Sequence, residues 1–133
     1  MTLCSQASAR LVPSILVVED DDNIATALEY VMRREGFTLD RIANGKDALP
    51  RIRATLPDLV LLDVMLPEVS GYDICKALRL DPALGGVKIL MMTARGSASE
   101  RKRGLDLGAD GFISKPFELK GLRDEVHRLL DAN

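Results

Sequence analysis

The chain has no tryptophan, one histidine and two cysteines, and only 4% of its residues are aromatic. Cys4 and Cys75 have no Cys or His partners at metal-ligand spacing, so a structural zinc site or a cluster is excluded. Cys75 lies in an apolar-periodic stretch and reads as a small core residue, Cys4 as an incidental thiol. No apolar run approaches the ~20 residues that span a bilayer. Nor is there an excess of positive charge. Lys and Arg number 18 against 20 Asp and Glu, the net charge is -2 and the pI is near 5.4. An electrostatic nucleic-acid binder is basic as a rule, so direct nucleic-acid binding by this chain is not expected. Residues 1–13 (MTLCSQASARLVP) lack the apolar core of a signal peptide. They read as a flexible leader, residues 14–133 as the domain, and the chain as cytoplasmic.

What is present is an ordinary globular composition, 47% hydrophobic and 29% charged over 133 residues, enough for one domain with a real core. No internal repeat or low-complexity tract interrupts it. Short apolar runs alternate with stretches of helical period. ILVVE (15–19), TLDRIA (38–43), LVLLD (59–63), VKILMMT (87–93) and GFIS (111–114) read as strands. Between them, Ile24, Ala27, Leu28, Val31 and Met32 make one helix face, ended by Gly36. Ala48, Leu49, Ile52 and Leu56 make a second, in which Pro50 demands a late start or a kink. Ile74, Cys75 and Leu78 make a third, stopped near Asp81-Pro82. Ser97 to Ala109 is a fourth with a weak apolar face, chiefly Ala98 and Leu105. Leu119, Leu122, Val126, Leu129 and Leu130 make the last. Five strand–helix units mean a parallel sheet. Its central strands are continuously apolar and must be covered on both faces, while TLDRIA is partly polar and reads as an edge strand, giving a three-layer, doubly wound α/β domain.

In such a sheet the ligand site lies outside the carboxyl ends of the strands. Those ends carry Glu19-Asp20-Asp21-Asp22, Asp63, Thr93 and Lys115-Pro116. Carboxylates gathered at one point repel one another unless they hold a cation or a proton. Oxygen donors without His or Cys favour a hard ion such as Mg2+. A lysine and a threonine beside it suit a phosphoryl group, and a central aspartate can accept one. Singly, each residue has a plainer reading: Asp63 as a turn residue, Asp22 as an N-cap or first-turn acid, Thr93 as a β-branched strand residue, Lys115 as a surface charge, Phe112 as core. His127, and with it Arg10 and the run Arg101-Lys102-Arg103, read as surface or boundary residues facing solvent. The constellation is what makes the functional reading.

The motifs ILVVEDD, DLVLLDVMLPEVSG, ILMMTA and GFISKPF, in that order, resemble the receiver domain of bacterial two-component response regulators, the CheY-like family, over about residues 14–131. The resemblance implies a flavodoxin/CheY-like sheet of order 2-1-3-4-5. It implies that Asp63 is the phosphoacceptor, served by a histidine kinase or phosphotransfer protein. Asp20 would be a direct Mg2+ ligand, Glu19 would act mainly through water, and the main-chain carbonyl of Met65 would complete the protein ligands with Asp63. Thr93 and Lys115 would meet the phosphoryl group, with Phe112 swinging inward behind Thr93. The Lys115-Pro116 bond would be cis. Pro67 and Gly71 would shape the loop over the metal. Met65 and Arg95 would tune the lifetime of the phosphoryl group. The chain would be no enzyme beyond its own phosphorylation and dephosphorylation. The surface of the fourth helix, fifth strand and fifth helix would switch and reach an output partner or effector domain. It is also the face through which winged-helix relatives form homodimers. Gly111, Gly121 and Glu125 depart from the residues such dimers use, while CKALRLDPALGGVK resembles stand-alone receivers and those joined to cyclic-nucleotide-making domains.

Two other readings compete. Asp20-Asp21-Asp22-Asn23-Ile24 resembles the nucleophile motif of haloacid-dehalogenase-type phosphatases, although Ile24 stands where a Thr is usual and Asp63 would have no role. A receiver-like module that binds a partner without phosphorylation is the second.

Overall fold

The computed structural model describes residues 12–94 and 96–131. The readings of Cys4, Arg10 and Arg95, and most of the leader, lie outside the described residues. Five strands, β1 (Ser14–Val18), β2 (Thr38–Ile42), β3 (Leu59–Asp63), β4 (Lys88–Thr93) and β5 (Gly111–Ser114), alternate with five helices. The helices are α1 (Asp22–Arg34), α2 (Ala48–Thr55), α3 (Gly71–Leu80), α4 (Ala98–Asp106) and α5 (Leu119–Asp131). Every strand pair is parallel and the order is β2-β1-β3-β4-β5. This is the expected doubly wound α/β sheet.

The central strands β1, β3 and β4 are almost wholly apolar because successive side chains feed two cores, whereas the edge strand β2 keeps Thr38 and Asp40 exposed. On β1, Ile15 and Val17 pack with Leu28, Met32, Leu122 and Val126 of α1 and α5. Leu16 and Val18 pack with Ile52, Ile74 and Leu78 of α2 and α3. Side-chain caps start three of the helices. Asp21 accepts from the N–H groups of Asn23 and Ile24, Ser70 from Tyr72, and Ser97 from Glu100. Asp22 is the first-turn acid of α1, and Gly36 takes φ +90° just past its end.

Packing alters some details. Ala25, not Ala27, joins Leu28 and Met32 in the core, because the buried face of α1 is turned toward the 25-28-32 row. Pro50 is the third residue of α2 and is accommodated in the first turn, where no N–H is needed. Leu56 is not on that helix's buried face. It is the C-cap, left-handed at φ 48° and half exposed. In α4, Ala98 and Leu105 are exposed and the buried residue is Gly104. A β-carbon there would lie 3.0 Å from Met91 and 3.1 Å from Phe112, so the helix backbone sits directly on the sheet. The sheet contact of α4 is therefore a backbone contact, without the ~1.5–3 kcal/mol each that large buried side chains contribute.

Candidate functional site

β1 and β3 are neighbours, and the residue after β1, Glu19, and the last residue of β3, Asp63, come to one edge. Glu19 is 1% exposed and Asp63 2%, although both are acids. Asp20, next along the chain, is exposed, and the three carboxylates place ligand oxygens within 4.8 Å of one another. Lys115 follows β5 and reaches back between them. Its Nζ donates to Glu19 Oε1 at 2.7 Å and lies 3.3 Å from Asp63 Oδ1. The Met65 N–H donates to the same Asp63 oxygen at 3.2 Å. Thr93 is fully buried at the end of β4, and its carbonyl accepts the Lys115 N–H at 2.7 Å. The Lys115-Pro116 peptide is cis. Phe112 is buried, with the Arg101 guanidinium 5.8 Å from its ring centroid.

The loop after β3 passes close over this edge. A β-carbon on Gly71 would lie 2.3 Å from the Asp63 carbonyl oxygen, so only glycine fits. The Gly71 N–H donates to the Val64 carbonyl at 3.0 Å, and Glu68 takes φ +68° between Pro67 and Gly71.

The electrostatics follow from three acids facing one ammonium. Burial pushes the Glu19 carboxyl up to about 7; the hydrogen bond from Lys115 opposes this and the Asp63 charge adds to it. Burial by itself would lower the Lys115 pKa. The hydrogen bond to Glu19 and the charges of Asp63 and Glu19 outweigh it and raise the pKa above the ordinary lysine value. The cluster is short of positive charge, and its donors are oxygens alone. That donor set fits a hard divalent cation.

The sequence match agrees with this geometry. Residues 15–127 match the family model described as the response regulator receiver domain. The chain belongs to the response regulator receiver domain family. This receiver is 44% identical over 120 residues to the phosphate regulon transcriptional regulatory protein PhoB of Rhizobium meliloti, covering 90% of this chain and 53% of that one. It is 44% identical over 119 residues to the DNA-binding response regulator MtrA of Mycolicibacterium smegmatis, covering 90% of this chain and 51% of that one. The receiver thus spans about half the length of these curated relatives. Among solved structures, the signal receiver domain of a signal transduction histidine kinase from Syntrophus aciditrophicus superposes with TM-score 0.84 at 33% identity, over 91% of this chain and 92% of that one. The chemotaxis protein CheY4 of Vibrio cholerae gives 0.83 at 26%, over 89% and 98%. The fold and the place in two-component signalling are those of the family. The phosphatase and phospho-independent readings gain no support.

Sequence reasoning missed several residues near the site. Tyr72, buried in the first turn of α3, donates its hydroxyl to the Glu100 carboxylate on α4. The Arg103 guanidinium stacks 4.2 Å from its ring centroid. Burial and the hydrogen bond to Glu100 push the Tyr72 phenol up to about 12. Arg101 and Arg103 are exposed, as expected, yet each covers an aromatic ring. Arg41 at the end of β2 was also overlooked, although it stands at the same strand edge as the acids. His127 is a boundary residue whose Nε2 lies 2.7 Å from Glu35 Oε1.

Proposed function

We propose that Asp63 accepts a phosphoryl group from a histidine kinase or phosphotransfer protein, and that the modified site switches the α4-β5-α5 surface. The observation that carries this is Lys115 lying between two buried acids, 2.7 Å from Glu19 and 3.3 Å from Asp63, with Asp20 beside them. Glu19, Asp20, Asp63 and the Met65 carbonyl are the groups that would hold Mg2+. When bound, it supplies positive charge toward the phosphoryl oxygens. The Asp63 carboxylate attacks phosphorus as the donor's bond to phosphorus breaks. Lys115 is positioned to shift from the carboxylates onto a phosphoryl oxygen, and Thr93 to hydrogen-bond another. Phosphorylation adds about two negative charges and three acceptors at pH 7. The chain catalyses nothing beyond gaining and losing that group.

The surface that responds is the one whose helix is held least by side-chain burial. α4 buries Gly104 alone, whereas α5 buries Leu122, Val126 and Leu129. Phe112 lies between α4 and the sheet and is the aromatic that would follow Thr93. We read residues 14–133 as the receiver unit, 1–13 as a leader outside it, and the setting as cytoplasmic. A homodimer through α4-β5-α5 is less well supplied with charges. Glu125 is paired with Arg128 at 2.7 Å within α5, and Gly121 offers no side chain. Gly111 gives Glu125 its place, since a β-carbon there would come within 2.8 Å of Glu125 Oε2.

The test is intact mass after incubation with acetyl phosphate and Mg2+, for wild type, Asp63→Ala and Asp20→Ala. A single phosphoryl adduct on the wild type, lost in Asp63→Ala, is the expected result. No wild-type adduct, with no binding of beryllofluoride, would favour the phospho-independent module. An adduct that survives Asp63→Ala and disappears in Asp20→Ala would move the nucleophile to Asp20.

A further inference from the structure

The β1–α1 connection is three residues long, Glu19-Asp20-Asp21, and Asp20 in its middle is the exposed acid of the cluster. An exposed carboxylate on a short loop is useful as a ligand only if the backbone beneath it is fixed. Both peptide units flanking Asp20 are held. The Asp21 N–H donates to Glu19 Oε2 at 3.2 Å. The Glu19 carbonyl accepts two bonds from one guanidinium, Arg41 Nε at 3.0 Å and Arg41 Nη2 at 2.8 Å. Arg41 comes from β2, the strand beside β1. The ladder between them closes with the Glu19 N–H donating to the Ile42 carbonyl at 3.1 Å. The Glu19 carbonyl lies beyond that last rung, and the Arg41 fork takes over where the ladder stops.

The third arm of the same guanidinium, Nη1, donates to Asp22 Oδ1 at 2.9 Å. This matters for charge. A free guanidinium beside three carboxylates would weaken their pull on a cation. Paired with Asp22, which belongs to α1 and not to the cluster, its charge is largely offset. The arrangement delivers the geometry of an arginine fork without most of its field.

We infer that Arg41 is a positioning residue for the cation site: its fork on the Glu19 carbonyl holds Asp20 where it can share a divalent ion with Asp63. The inference rests on the reading of Glu19, Asp20 and Asp63 as a Mg2+ site. Arg41 touches neither the ion nor the phosphoryl group and acts through the peptide it holds. Lysine cannot replace it, because one ammonium does not present a planar pair of donors.

The experiment measures Mg2+ binding by calorimetry, with Mn2+ binding by electron paramagnetic resonance as a second readout. The variant Arg41→Met/Asp22→Asn removes one charge of each sign, so what it loses is the fork. Its Mg2+ affinity is expected to fall about tenfold, the usual size of an effect from a group that orients a ligand. Asp22→Asn by itself is expected to change it less than about threefold, through charge alone. Arg41→Lys keeps the charge and is expected to bind about threefold to fivefold more weakly, which also serves if the double variant folds poorly. The rate of phosphorylation by acetyl phosphate in the variants should recover at saturating Mg2+. A general structural defect would lower it at every concentration. Unchanged Mg2+ affinity in the double variant and in Arg41→Lys overturns the inference while leaving the cation site intact. Failure of the wild-type chain to bind Mg2+ overturns the site reading itself, and this inference with it.

Discussion

Aspartates stand at both edges of the sheet, and the two edges treat them differently. At the amino-terminal edge each acid is matched. Asp58 Oδ2 accepts the Ser14 N–H at 2.7 Å. Asp110 Oδ2 accepts the Ile89 N–H at 2.8 Å and Arg79 Nη2 at 2.6 Å. Arg79 also donates to the Gly108 and Val87 carbonyls, both at 2.8 Å, and ties α3 to the chain on either side of β4. At the carboxyl-terminal edge, Glu19 and Asp63 share Lys115, and Asp20 lies beside them. A carboxylate that shares its donors with no other acid is a structural tie. Carboxylates crowded around one ammonium store repulsion that a cation relieves. The same residue type thus serves stability at one edge and binding at the other, and the crowding of carboxylates around one ammonium decides which.

The comparison makes opposite predictions for similar substitutions. The largest effect is expected at the matched edge. Asp110→Ala leaves the Ile89 N–H and Arg79 Nη2 without their acceptor, and should destabilise the fold by about 2 to 4 kcal/mol in urea unfolding. A loss below about 0.5 kcal/mol would show that the tie is not structural. At the crowded edge the sign reverses. Asp63→Asn keeps the acceptor for the Met65 N–H and removes one repelling charge, so without divalent cations it should stabilise by about 1 kcal/mol. Mg2+ should then raise its melting temperature less than it raises that of the wild type. A destabilised Asp63→Asn would mean that Lys115 already balances the cluster.

The smallest effect belongs to a buried group with no ionic role at either edge. Burial pushes the Cys75 thiol up to about 11 from an ordinary value of 9.0. Its pKa is higher folded than unfolded, so its contribution to stability is full below about pH 9 and falls between pH 9 and 11. Between pH 6 and 8 it contributes no pH dependence. In a Cys4→Ser background, iodoacetamide at pH 8 should label Cys75 only after denaturant is added. Fast labelling of the folded chain would show that the thiol is not enclosed.

Much of this was legible in the sequence because a parallel sheet sends every strand in one direction. Once ILVVE, LVLLD, VKILMMT and GFIS are read as parallel strands, Glu19, Asp63, Thr93 and Lys115 must lie at one edge, whatever the details of packing. Strand β3 was even readable to its ends, since its five residues are all buried and bounded by Pro57-Asp58 on one side and by the loop on the other.

The parts that escaped are those in which long side chains reach across elements. The Arg41 fork on the Glu19 carbonyl, the Tyr72–Glu100 bond under Arg103 and the Arg79 tie each join residues that no local period relates. A period of 3.6 or 2 states which way a side chain leaves its own backbone, and not what it meets several ångströms away. Helix rotation belongs to the same class. The sequence offered Ala25 and Ala27 with equal volume, and only the fit of α1 against Ile15, Leu122 and Val126 chose Ala25. The sequence by itself determined the strands, their common direction and therefore the edge at which the acids meet. Tertiary structure alone decided which cation each acid meets, because Arg79 and Lys115 arrive from other elements.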